Sequence, residues 1–205
     1  MTRNPFSRPV IAAAALLMAW LFTSLPLGKA LAAGETPGWD VEKAEAEILR
    51  LQPSAFPELP APIARELARR GCLIPQVESW AEGSHNVISG QFRTPGQTDW
   101  AIVCSIDRVS SLLIFWNGSA ADVENLNGER RPDRFYLQGM GDHRPAFSWL
   151  IRAVGKKYIL DHYALYGMSE PPPIDHEGID SAFAGKGSTI LYWYKGEWLH
   201  LPGAD

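Results

Sequence analysis

The chain has 205 residues, two cysteines and a formal net charge of −4. Residues 1–32 hold Arg3, Arg8 and Lys29 and no acid, so the remainder carries −4 − 3 = −7. So acidic a chain is a poor partner for nucleic acid, whose affinity rests on Lys and Arg neutralising phosphates, and anionic membrane surfaces repel it.

The N-terminus, MTRNPFSRPVIAAAALLMAWLFTSLPLGKALAA, reads as an export signal. A basic start precedes an apolar run from Val10 to Leu25, and Ala30-Leu31-Ala32 has the small residues that signal peptidase recognises. The run is shorter than the ~20 residues a bilayer span needs, so cleavage after Ala32 and a product without a membrane span are expected. No cysteine follows the cleavage point, which argues against lipid attachment. The expected location is periplasmic or secreted. In such an oxidising space, Cys72 and Cys104 are expected to pair, and closing that loop contributes roughly 3–4 kcal/mol through chain entropy.

Residues 33–39 form a short linker, and 40–205 are expected to make one α+β domain. Asp40 to Leu51 (DVEKAEAEILRL) predicts a helix, with Asp40 as cap and Val41, Ala44, Ile48 and Leu51 on one face. Four prolines follow, and Pro62 suits the first turn of a second helix, Pro62 to Arg70, ended by Gly71. From Asn86 the pattern becomes β. NVISGQF, DWAIVCSI and SLLIFW predict an antiparallel meander turning at Gly96 and at Asp107-Arg108. Residues 119–145 are weakly patterned. FSWLIRAV predicts a strand, Lys156 to Tyr166 a helix ended by Gly167, and PPPIDHEGID a stiff loop. STILYWY and EWLHL, joined at Lys195-Gly196, predict a terminal hairpin. The expected architecture is therefore N-terminal helices packed on a mainly antiparallel sheet, one later helix and a C-terminal β-hairpin.

Gly90 to Ile102, GQFRTPGQTDWAI, resembles the strand–loop–strand unit of FG-GAP repeats at Gly90, Phe92, Gly96, Thr98, Asp99 and Ala101. In that family the loop wraps calcium with oxygen side chains at alternate positions. The corresponding residues here are Gln91, Arg93, Pro95 and Asp99. Calcium takes six or more oxygens, and Arg93 would put a cation where the ion sits, so the resemblance implies the turn without the metal. GCLIPQ, LLIFWNGS, PPPIDHEGID and the terminal YKGEWLHLPGAD are together similar to a family of exported bacterial proteins that carry no assigned activity. That likeness implies a shared fold and compartment.

The densest group of polar candidates is Asp175, His176, Glu177 and Asp180, behind three prolines, with Asp161 and His162 upstream. A divalent metal accepts such nitrogen and carboxylate ligands, and a His–Asp pair can move protons. Against this, no H-E-x-x-H spacing is present, and neighbouring side chains diverge in extended chain. A Pro-rich loop with Asp and Gly also serves as an ordered connection. His162 lies at helical spacing with Tyr158 and Tyr166 and is expected to pack there. Ser148, Ser181 and Ser188 lack a G-x-S-x-G elbow, and Gly185-Lys186-Gly187-Ser188 lacks the rest of a phosphate loop. The leading expectation is an exported, non-enzymatic protein that uses no metal or cofactor. It would bind a partner protein or envelope component through the Asp175–Asp180 region and exposed aromatics. The alternative is a metal-assisted hydrolase built on His162, Asp175, His176 and Asp180, which requires those four side chains to converge.

Overall fold

The computed structural model describes residues 38–77, 83–126, 131–139, 144–167 and 170–204. The chain divides into two units, Met1–Thr36 and Pro37–Asp205, and every described residue belongs to the second. The expected export signal, residues 1–32, lies outside the described residues. Among those described, no helix is long and apolar enough to cross a membrane.

Asp40 caps α1 (Val41–Glu47), its carboxylate accepting the Lys43 N–H at 3.0 Å. Apolar spacing predicts that this helix runs to Leu51, but the chain leaves it at Ile48 (φ −54°, ψ 122°). The Arg50 guanidinium donates to the Glu45 and Ile48 carbonyls, at 3.2 and 3.1 Å, which a longer helix would occupy itself. Arg50–Leu51 instead forms β1, paired with β2 (Ile74–Pro75). Between them lies α2 (Ala61–Arg69), with Pro60 before it, Pro62 in its first turn and Gly71 (φ +73°) behind it. Cys72, just past that glycine, is disulfide-bonded to Cys104.

The chain then builds β3 (Val87–Gly90), β4 (Asp99–Ile106), β5 (Val109–Phe115) and β6 (Val123–Asn125), hydrogen-bonded in that order, with β7 (Arg131–Pro132) also on β5. β8 (Leu137–Gly139) and β9 (Pro145–Phe147) make a small ribbon. A second sheet follows: β10 (Trp149–Val154), β11 (Gly178–Phe183), β12 (Gly187–Tyr194) and β13 (Glu197–Pro202), again in chain order. Helix α3 (Lys156–Leu165) lies between β10 and β11. Every named pairing is antiparallel, so the fold is mixed α+β.

The expectation of one sheet is corrected to two, because alternation gives each sheet two apolar faces to cover. The inner faces share one core: Ala101, Val103, Leu112 and Ile114 from the first sheet meet Trp149, Ile151, Ile179 and Leu191 from the second. The outer face of the first, Trp100, Ile102, Cys104, Leu113 and Phe115, is covered by Phe56, Ile63, Leu67 and Ile74 of the N-terminal segment. The outer face of the second, Val154, Ile190, Tyr192 and Leu201, is covered by Ile159 of α3 and by Ile174. Gly178 permits this last contact, since a Cβ there would lie 2.9 Å from Ile190 Cγ2 and 3.4 Å from Ile159 Cδ1.

Candidate functional site

The PPPIDHEGID segment splits into two environments. Residues 170–177 connect α3 to the second sheet, while Asp180 is not a loop residue: it lies inside β11, between Arg152 of β10 and Ile190 of β12. Buried Ile179 draws the segment into the sheet, and alternation turns Asp180 onto the outer face under α3. There its Oδ2 is bonded by the Arg152 guanidinium and by the Tyr158 hydroxyl at 3.3 Å. Its Oδ1 is buried with no hydrogen-bond partner among the described residues. Burial and then the Asp180 charge raise the Tyr158 pKa above its ordinary value.

His162 stays with its own helix. Its ring lies 4.1 Å from that of Tyr158, and its Nδ1 is 2.9 Å from the Tyr158 carbonyl oxygen. Asp161 pairs with Lys157 at 2.6 Å.

The other three candidates are brought together at the end of the loop. Buried Ile174 fixes the approach in the α3 core. The Asp175 N–H donates to the Tyr192 hydroxyl at 3.1 Å, and that hydroxyl has the Pro173 carbonyl at 3.1 Å and Asp175 Oδ1 at 3.2 Å as acceptors. Burial raises the Tyr192 pKa, so the phenol stays protonated for this role. His176, its side chain 5 % exposed, stacks on the Tyr192 ring at 4.4 Å. Its ring nitrogens face two carbonyl oxygens, Nδ1 that of Glu177 at 2.9 Å and Nε2 that of Trp193 at 3.0 Å. Glu177 joins the loop to the first sheet: its N–H donates to the Gln91 carbonyl at 3.0 Å, and its Oε2 accepts the Gln91 N–H at 2.8 Å. Gly90 leaves room for this, since a Cβ there would stand 3.0 Å from that same oxygen.

An open cavity of about 480 Å³ lies over this junction, lined by Gln91, Lys156, Ile174, Asp175, His176 and Glu177. The Asp175 side chain is 69 % exposed at its edge. His162, Asp175, His176 and Asp180 therefore do not share one centre. Among the described residues no group of three or more His, Cys, Asp or Glu side chains is placed to hold a metal ion. The arrangement can present opposite charges on a fixed backbone; it does not assemble the four-residue ligand set.

The Gly90–Ile102 hairpin is organised by a carboxylate. Asp99, wholly buried, accepts the Phe92 and Arg93 N–H groups on Oδ2 at 3.0 and 3.1 Å and the Asn117 N–H on Oδ1 at 2.8 Å. Gln91 Oε1 accepts the Gly96 N–H at 2.6 Å. Arg93 does not turn its cation into the loop as its position implied. Its guanidinium lies over the rings of Trp116 and Trp193, at 5.1 and 5.6 Å from their centroids. Three of the eight tryptophans of the chain thus gather around this site, a grouping that their positions in the sequence do not reveal. Comparison with protein families, curated proteins and solved structures finds no match.

Proposed function

We propose that this is an exported, non-catalytic binding protein of the periplasm or external medium, and that it contacts an envelope protein or other envelope component at the cleft beside Asp175. The reading is supported by a division of tasks among three consecutive residues. His176 and Glu177 spend their polar atoms fastening backbone, whereas the Asp175 carboxylate, whose Oδ1 lies 3.2 Å from the Tyr192 hydroxyl and 3.8 Å from His176 Nε2, is 69 % exposed in a cleft that also holds Lys156. A surface whose backbone is already tied at two points loses little ordering entropy when a partner docks, which is how preorganisation raises affinity. The export-type N-terminus and the Cys72–Cys104 disulfide support the compartment. The hydrolase alternative is not favoured, because among the described residues no three of its four side chains are placed to hold a metal ion.

The test is site-specific photo-crosslinking in the native host, with the photoreactive residue at position 175 and, as control, at Lys43 on the exposed face of α1. The expected result is an adduct of defined mass from position 175 that weakens when Lys156→Glu removes the cleft's cation. No adduct, or the same adduct from position 43, overturns the reading.

A further inference from the structure

Three tryptophans distant in sequence meet at one edge of the sheet pair. Trp116 follows β5, Trp193 is in β12 and Trp198 in β13. Their ring centroids are 5.4 Å apart for Trp116–Trp193, 5.7 Å for Trp116–Trp198 and 5.4 Å for Trp193–Trp198. One carboxylate fixes two of these rings: Glu124 accepts the Trp116 indole N–H on Oε2 and the Trp198 indole N–H on Oε1, both at 3.1 Å. The polar edges of those indoles are thus satisfied from behind, with a negative charge held against the rings. The face left between Trp116 and Trp193 is taken by the Arg93 guanidinium. Arg93 is an exposed loop residue with no carboxylate partner among the described residues, so π-faces alone receive its side chain.

Rigid indole walls, a carboxylate behind them and a cation over their faces make up the chemistry by which proteins hold quaternary ammonium groups. We infer that the face between Trp116 and Trp193, with Trp198 packed against both rings as support, is a binding site for a trimethylammonium group, with Arg93 as its resident occupant, displaced when the ligand enters. The box adjoins the Asp175 cleft, the Trp193 carbonyl oxygen lying 3.0 Å from His176 Nε2, but none of its three indoles lines that cleft. An arginine suits the resident role because its guanidinium is weakly hydrated and stacks on aromatic faces, yet at an exposed loop it leaves for water at small cost. The formal charge of −7 on residues 33–205 favours approach of a cation over an anion.

The test follows the indole resonances of Trp116, Trp193 and Trp198 by NMR in the folded, disulfide-bonded protein during titration with choline. A parallel titration uses 3,3-dimethylbutanol, a neutral compound of the same shape. Choline is expected to shift these resonances saturably in the wild type. Arg93→Ala, which empties the box, is expected to tighten binding about fivefold or more, the scale of one cation–π contact. Arg93→Lys, which leaves a cation in place, is expected to stay close to the wild type. Because Arg93 is exposed, neither variant threatens the fold. Co-sedimentation with phosphatidylcholine vesicles assigns the ligand to a lipid headgroup, and its absence assigns it to a free solute. No choline shift in the wild type, an equal response to the neutral compound, or equal affinities in Arg93→Ala and Arg93→Lys overturns the inference.

Discussion

The two outer faces of the sheet pair are covered by different means. Over the first sheet, α2 sends Ile63 and Leu67, both fully buried, into a cluster with Ile74, Ile102 and Phe115, and Cys72–Cys104 joins cover to strand covalently. On the opposite, inner face of the same sheet the buried acid Asp133 has both oxygens occupied: Arg50 and Ser105 donate to Oδ2 at 2.7 Å each, and Ser110 donates to Oδ1 at 2.6 Å. Over the second sheet, Ile159 is the one fully buried side chain of α3, while Leu165 near its end is 77 % exposed. The buried acid there, Asp180, leaves Oδ1 without a partner among the described residues, and its counter-ion Arg152 is half exposed. The five-stranded sheet thus receives a fastened cover and the four-stranded sheet a resting one. Burial of a hydrophobic face requires only that something apolar lie on it; permanence requires covalent and fully satisfied polar links as well.

The largest expected effects break that contrast directly. Asp133→Ala strands the Arg50 guanidinium, whose side chain is 10 % exposed, together with two serine hydroxyls. Removing one partner from a buried pair of this kind costs about 3–5 kcal/mol. Asp180→Ala should cost only about 1–2 kcal/mol, the worth of a charged hydrogen bond, since Arg152 regains water and an unpartnered buried oxygen is removed. Urea unfolding of both variants measures the difference, and equal losses would erase the distinction between the two buried acids. Next in size, replacing Cys72 and Cys104 together by Ala should lower stability by about 3–4 kcal/mol through the freed loop. The second sheet should lose less local hydrogen-exchange protection than the first, and equal loss across both sheets would contradict the contrast between the two covers.

Legibility in the sequence follows the same division. α2 and β4 stand where the pattern places them, because a proline-to-glycine frame and an apolar run are local signals that tertiary packing reinforces. β11 was read in part as loop, since Asp180 and Ser181 interrupt its apolar residues; only the Arg152 and Tyr158 donors make an acid tolerable there. The end of α1 was overrun because its terminator, Arg50, works through Asp133, 83 residues away. At the candidate site, the density of polar groups points to Asp175, His176 and Glu177, which line one cleft. It could not reveal that two of them bind backbone, or that His162 and Asp180 face other partners. The tryptophan box was invisible for a related reason, being assembled by strand order alone.

The smallest expected effect lies on the solvent side of the fastened cover and tests whether its surface charges matter beside its core. Glu66 of α2 receives two hydrogen bonds from Arg69, each 2.8 Å, and one from Arg70 at 2.7 Å. These bonds, first from Arg69 and then from Arg70, lower its carboxyl pKa from 4.5 to about 2. A carboxyl depressed in the folded state stabilises it above the unfolded value, and that contribution disappears as pH falls through the folded one. The Tm gap between wild type and Glu66→Gln should therefore be constant above pH 4.5 and close as pH approaches about 2. It should also shrink with added salt, as exposed pairs do. A gap that persists to low pH would mean that the introduced amide, and not the lost charge, sets the difference. The charged fork would then be incidental, and the cover's strength would rest on Ile63, Leu67 and the disulfide alone.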